Sequence, residues 1–465
     1  MRRRLPARSA VVAVLALQAL GPAATAKDEP LPFRVPPGYR VTHREQIADG
    51  VEHVRLRSDA PAHVVELGFT RKRAGYRVEV RHAGPRSRGS DRDLAGTSEL
   101  CGDCAYATNG DYAWRQPSRV VGRPIGGIVA NGLVLVSPDK LHQQASYTYD
   151  GDFTTQRVTW RARVTGSGRT VAITGKNVPR SPGGLVLYSS DYVRSTGTPP
   201  GGVELTLRLP AGTVRPGHPA YPTLLSIRDG GDSPVAAGTV VLSGSGAKGA
   251  ALRKIWATGG AGAVVELAES LAPSNVWSSV GAGHILLRDG QRWLVPENAP
   301  HLVTAHPRTF AGVLADGTLF NATVDGRERN AGRSVGMPLE EALAFFQAMG
   351  VREAVNMDGG GSTTFVRAGR IVNRPSDGGE RPVTTALVVV RGAIPRKPAA
   401  PKAFVTPRRP RPELPAVEPA ALAPPVPRAA SARTPLPVFI ATGNVTLLGF
   451  VLTVLWVRRG RPVVP

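Results

Sequence analysis

The stretch GMPLEEALAFFQAMGVREAVNMDGGGSTTF, residues 336–365, decides how the chain is read. Pro338 suits a first helical turn, and Glu340 and Glu341 suit the positive end of a helix. Leu339, Leu343 and Phe346 fall on one helical stripe, with Ala342 and Met349 beside them. Gly350 stands where a left-handed cap ends a helix. REAVNM, residues 352–357, is then short enough to be a strand returning to a sheet. The glycines at 359–361 follow that strand, and the end of a helix–strand unit is a usual place for a site.

A triple glycine inside a folded segment needs a reason, because each glycine costs backbone entropy. Gly359, Gly360 and Gly361 could turn successive N–H groups toward one point and form an anion-binding nest. Asn356 and Asp358, two apart on an extended chain, share a face. Ser362, Thr363 and Thr364 add hydroxyl donors and acceptors. The plain alternative is a glycine-rich hairpin with a solvated aspartate.

Outward from this stretch, the pattern is mostly β. Residues 50–81 alternate apolar and polar side chains, and short runs at 132–137, 170–175, 185–190, 203–209 and 284–290 do the same between turn residues. No fixed-length repeat stands out. The fold class expected is α+β: β-rich mixed sheets with a few packing helices, one large domain over 50–392, and a C-terminal transmembrane helix.

The ends explain that last element. Residues 1–26 join an arginine-rich start, an apolar run and an A-T-A ending, the layout of a secretory signal peptide. Residues 27–49 read as a linker. From Pro395 to Pro437, 13 of 43 residues are proline, which favours extended polyproline conformations and cannot build a core, so 393–437 reads as a stalk. Residues 438–457 hold no charge over 20 positions, long enough to span a bilayer. Arg458, Arg459 and Arg461 follow, placing the 458–465 tail in the cytoplasm and the bulk of the chain outside, anchored in the cell membrane.

The 465-residue chain carries a net charge of +23, of which about +10 falls on residues 27–395. A basic exported domain can attract phosphate-bearing polymers, although an arginine-rich bias explains the charge equally well. No recognition motif accompanies it, so nucleic acid is not an expected partner. The two cysteines, Cys101 and Cys104, suggest a local disulfide rather than a redox centre, since no βαβ pattern surrounds them. No metal or cofactor is expected: no zinc or EF-hand spacing is present, and the nine histidines are scattered along the sequence.

AVNMDGGGSTTFV, followed by GRIVNRPSDGGERPVTTALVV at 369–389, closely resembles the signature of the phosphodiester glycosidase family. ATNGDYAW (107–114), LVLYSSDYVRSTGT (185–198), GTVVLSGSG (238–246), HPRTFAGVLADGTLFNATVDGR (306–327) and SVGMPLEEALAFF (334–346) are similar to further family segments in the same order. The resemblance spans roughly residues 50–392. His284, in VGAGHILLRDG, and the cysteine pair depart from the family pattern.

What the resemblance implies is hydrolysis of a sugar-1-phosphodiester, of alpha-N-acetylglucosamine type, at the sugar C1–O bond of a phosphate-containing glycan. Asp358, and secondarily Asp325, are then the base or nucleophile. Arg308 and Arg374 are the phosphate clamps, since guanidinium offers a bidentate fork. Asn109, Asp111 and Asn356 bind sugar hydroxyls or orient the carboxylates. Asp377 flanks the glycines of the SDGG segment and joins the substrate-binding set with Gly359, Gly360, Gly361, Ser362 and Thr363. Plainer readings stand beside these: Asp325 as a hairpin residue, Asn109 and Asp111 as Asx-turn residues, Arg308 as a structural ion-pair partner. Two other functions also remain open: a tethered binder of phosphosugar polymers, and a metal phosphodiesterase cleaving P–O.

Overall fold

A computed structural model describes residues 30–84, 94–114, 123–139, 141–210, 214–294, 299–328 and 333–399. The signal sequence, most of the stalk and the apolar span at 438–457 lie outside the described residues. Among the described residues, no helix is long and apolar enough to cross a membrane.

The helix read from sequence runs over Leu339–Met349. Pro338 lies just outside it with extended backbone, and Gly350 closes it at φ 81° with its N–H on the carbonyls of Phe346 and Gln347. Its buried face holds Leu339, Ala342, Leu343, Phe346 and Met349, joined by Phe345. That face packs on a sheet of eight strands in the order Arg40–Ala48, Val51–Asp59, Ala62–Thr70, Leu319–Val324, Arg308–Leu314, Val351–Asn356, Ile285–Arg288 and Gln291–Arg292. The Phe346 ring lies 4.9 Å from Phe310 and 5.2 Å from Phe320.

Alternate residues of the same strands serve the opposite face. Ala311, Val313 and Val355 join Tyr106, Phe365 and Leu387 in a second core. This core lies against a five-stranded sheet ordered Arg370–Ile371, Phe365–Arg367, Tyr106–Asn109, Thr385–Arg391 and Tyr76–His82. Contact is close enough that a Cβ on Gly68 would meet the Tyr106 ring at 2.5 Å. The remaining described strands form two further five-stranded sheets and one of three strands. The β-rich α+β expectation therefore holds for the described residues. Pairing is antiparallel almost throughout, with a parallel pair between Gly175–Lys176 and the strand Leu185–Ser189.

Three expectations change. The helix Gly246–Gly259 adds to the one helix read from sequence; glycines bound it and its buried stripe is short, Gly249, Leu252 and Ile255, which leaves little periodic signal. The supposed linker 27–49 contributes the strand Arg40–Ala48, and Phe33 stacks on Phe69 at 4.9 Å, so the fold begins before residue 50. The first residues of the supposed stalk also lie on the fold: the Ala399 carbonyl is 2.8 Å from His218 Nε2, and Lys397 Nζ donates to Ser274 Oγ. Cys101 and Cys104 form a disulfide at the end of the short helix Thr97–Cys101.

Candidate active site

Three strand ends converge. Asn109 ends the central strand of the five-stranded sheet, Arg308 begins one central strand of the eight-stranded sheet, and Asn356 ends its neighbour. Asn109 ties the two sheets together. Its Nδ2 donates to the Asp358 carbonyl at 2.7 Å, and its Oδ1 accepts from Thr309 Oγ1 at 2.8 Å and from the Thr364 N–H at 3.2 Å. Asn109 is fully buried, so of the two roles expected for it, orienting the carboxylate segment is the one the geometry supports.

Asp358 is 8% exposed and is held through its backbone, with its N–H on the Gly110 carbonyl. Its charge is felt by two neighbours, the buried Asp111 and the partly buried Tyr112. It adds to the burial that pushes Asp111 up to about 8, and it raises the Tyr112 phenol after burial itself. Asp111 accepts the Gly126 N–H at 2.9 Å, which offsets only part of the desolvation. Burial thus favours the protonated form of Asp111, and the charge of Asp358 acts in the same direction. Sequence reasoning placed Asp111 among substrate-binding groups, because nothing local reveals how deeply it is buried.

Positive charge completes the cluster. Arg308 is buried, and desolvation lowers its pKa to about 10, so it stays charged at neutral pH. Arg308 also acts on Tyr112, and Arg327 acts on Arg308. Burial followed by Arg308, Arg327 and His301 depresses His306. The Arg308 fork, however, already grips the protein: Nε donates to the Met337 carbonyl, and Nη2 to those of His301 and Thr304. Its two-pronged phosphate clamp is thus corrected to a buried charge with Nη1 as the remaining end. Arg327, absent from the sequence-based set though it follows Asp325-Gly326, has φ 65°, rare for a side chain of its size. Its Nη2 lies 3.0 Å from where a Cβ on Gly360 would stand, so this guanidinium faces the glycines.

The glycine segment is not an open nest. Gly360–Ser362 forms one 3₁₀ turn. The N–H groups of Gly360, Ser362 and Thr363 donate to the carbonyls of Pro307, Gly359 and Gly360 respectively, which leaves them unavailable to a ligand. The three glycines serve three separate needs. Gly359 runs so close to Pro307 that a Cβ would sit 2.8 Å from its carbonyl oxygen. Gly360 needs φ 60°, and Gly361 lies against the Asp377–Arg381 pair, where a Cβ would fall 2.1 Å from the carboxylate.

Several expected residues stand apart from this cluster. Asp325 accepts from Asn373 Nδ2 at 3.0 Å and from the Arg374 N–H at 3.1 Å, in a setting shared with Glu66 and Glu328. Burial raises it to about 7, yet its contacts make it the anchor of the 373–374 turn. Asn373 also reaches the Thr363 carbonyl, so Asp325 acts on the glycine segment through another residue. It is not a hairpin residue, since the turn between Arg308–Leu314 and Leu319–Val324 precedes it. Arg374 is corrected as a phosphate clamp: its side chain is 59% exposed and pairs with Glu328. Asp377 accepts from Arg381 Nε at 2.8 Å.

Asn356 donates to Tyr112 OH at 2.7 Å, while its buried Oδ1 has no hydrogen-bond partner. Thr363 Oγ1 and His306 Nδ1 are buried and equally unpartnered. These atoms keep hydrogen-bonding capacity that a bound ligand or water could use. His284, the departure from the family pattern, accepts the Asn356 N–H at its carbonyl, with its ring 5.8 Å from His301. A cavity of about 860 Å³ is lined by Gly126, whose N–H donates to Asp111, and by Trp114, Arg123, Trp160 and Arg161 among others. Asp358 does not line this cavity; Asp111 borders it through Gly126.

A carboxyl that burial raises, a second carboxylate, a partly buried phenol and two arginines are groups capable of acid–base chemistry on an anionic substrate. The comparisons agree with that class. Residues 226–390 match the family model described as phosphodiester glycosidase. The match takes in Arg308, Arg327, Asn356 and Asp358, whereas Asn109, Asp111 and Tyr112 precede it. The chain is similar to the SPbeta prophage-derived uncharacterized protein of Bacillus subtilis strain 168, 36% identical over 106 residues, 21% of this chain and 16% of that one. It thus spans less than a fifth of that relative's length.

Two solved structures share the fold. A hypothetical protein from Synechocystis aligns with TM-score 0.58 at 18% identity, covering 75% of this chain and 63% of its own. A protein from Burkholderia pseudomallei K96243 aligns with TM-score 0.54 at 21% identity, covering 71% and 74%.

Proposed function

We propose that the chain hydrolyses a sugar-1-phosphodiester at the sugar C1–O bond, releasing the sugar and a phosphomonoester. The observation that supports this most is the pairing of Asp358 with a neighbouring carboxyl, Asp111, that burial holds protonated, beside Arg308 and Arg327. Asp358 acts as base or nucleophile at C1 and stabilises the cationic character that develops there. Arg308 Nη1 and Arg327 hold the phosphate, and Tyr112 and Asn356 bind sugar hydroxyls. Asp111 gives its proton to the departing oxygen. A phosphomonoester leaves readily, so the burden falls more on Asp358 and the arginines than on the acid. Asn109 and Asp325 are positioning residues.

Incubating the full chain with an alpha-N-acetylglucosamine-1-phosphodiester in ¹⁸O water tests this. Label in the released sugar, with or without chelator, is the expected result. Label in the phosphate means P–O cleavage, and binding without turnover means a binder; either outcome removes the proposal.

We also propose that the apolar span at 438–457 tethers the domain outside the cell, on the strength of its length and the arginines after it. Protease added to intact cells should then release an active fragment cut within 401–437. Full protection of the domain would refute this orientation.

A further inference from the structure

The histidines that look scattered along the sequence are partly gathered by the ladder at the edge of the eight-stranded sheet. His43 and Glu45 are two apart on Arg40–Ala48 and so share a face. His53, on Val51–Asp59, lies directly opposite Glu45 in the register. Each of the three offers one ligand atom, and these atoms lie within 4.8 Å of one another.

The state of His53 makes this more than a cluster. The ring is 98% buried, and Nε2 is 2.7 Å from Glu66 Oε2. Glu66 also accepts from Arg55 Nε at 2.5 Å, so it meets His53 Nε2 as an acceptor, and the neutral imidazole that fits this contact carries its proton on Nε2. That leaves an unshared pair on Nδ1, which is buried and has no hydrogen-bond partner. Phe365 stacks on the ring at 5.2 Å and fixes its plane. A histidine whose one nitrogen is held by a carboxylate and whose other is left bare is oriented as metal-binding histidines are.

We propose that His43, Glu45 and His53 bind a divalent transition-metal ion, Zn²⁺ being the best fit. Two imidazoles and one carboxylate are a zinc ligand set that leaves a fourth position for water, and they offer too few oxygens for Ca²⁺ or Mg²⁺. His43 and Glu45 are partly exposed, which gives the ion a way in from solvent. Arg367 holds Glu45 Oε1, while Oε2 is turned toward His43 Nε2 at 3.4 Å. The three residues precede the family-matched region, so the proposal is independent of the glycosidase reading.

The test is calorimetric titration of the metal-stripped full chain with ZnCl₂, and separately with MgCl₂. One saturable Zn²⁺ per chain and no Mg²⁺ binding are expected. His43→Ala and Glu45→Gln alter partly exposed side chains and should fold as the wild type does, yet each should weaken Zn²⁺ binding by at least about tenfold. Absence of saturable Zn²⁺ binding in the wild type, or wild-type affinity in either variant, would overturn the site.

Discussion

Asp358→Asn should lower turnover of a sugar-1-phosphodiester by on the order of a thousandfold or more while the melting temperature barely changes. The reason lies in how the residue is held. Its N–H donates to the Gly110 carbonyl, and its carbonyl accepts from Asn109 Nδ2, so the backbone fixes it and the side chain is close to isosteric in the variant. What disappears is a charge, the one that acts on both Asp111 and Tyr112. A carboxylate that reacts at C1 or activates water has no substitute in an amide. A structural carboxylate predicts the opposite pattern, lost stability with activity retained. Melting and turnover measured on the same preparation separate the two, and a folded, fully active Asp358→Asn protein ends the case for this residue as the catalytic group.

The elements that surround Asp358 were legible because their signals are local. The stripe on Leu339–Met349, the cap at Gly350 and the strand after it each follow from a few neighbouring residues. The use made of those elements was not legible, since it depends on partners far away in sequence. Arg308 and Arg374 look alike in the chain, yet one is buried against three carbonyls and the other pairs with Glu328 at the surface. The triple glycine suggests a nest, but the Gly360 N–H at its centre is taken by the Pro307 carbonyl, a contact across 53 positions, and those of Ser362 and Thr363 close a turn. Asp325 and Asp358 both precede glycine, and only the fold shows that one anchors a turn while the charge of the other acts on the buried Asp111. Arg327 escaped notice because what marks it, a positive φ beside Gly360, is a property of the backbone path.

Asp111 carries the second large effect, and two readouts must move together. Burial raises its pKa from 3.8 to about 8, so the folded protein keeps a proton that the unfolded chain gives up above about pH 4. The stability this group contributes is full below pH 3.8 and is lost as the pH rises toward 8. Asparagine does not ionise, and its Oδ1 can still accept the Gly126 N–H. Asp111→Asn should therefore escape that loss: its melting temperature relative to wild type should climb between pH 5 and pH 9, by on the order of a few degrees. If the carboxyl is also the proton donor, wild-type kcat/KM should fall as the pH passes about 8, and this limb should vanish in Asp111→Asn. The cost should depend on the leaving group: about tenfold for a phosphodiester, which departs without much help, and on the order of a hundredfold for an alkyl glycoside of the same sugar. A variant that gains stability at high pH but keeps full activity on both substrates would make Asp111 a buried structural acid, and Asp358 would then act without a proton donor.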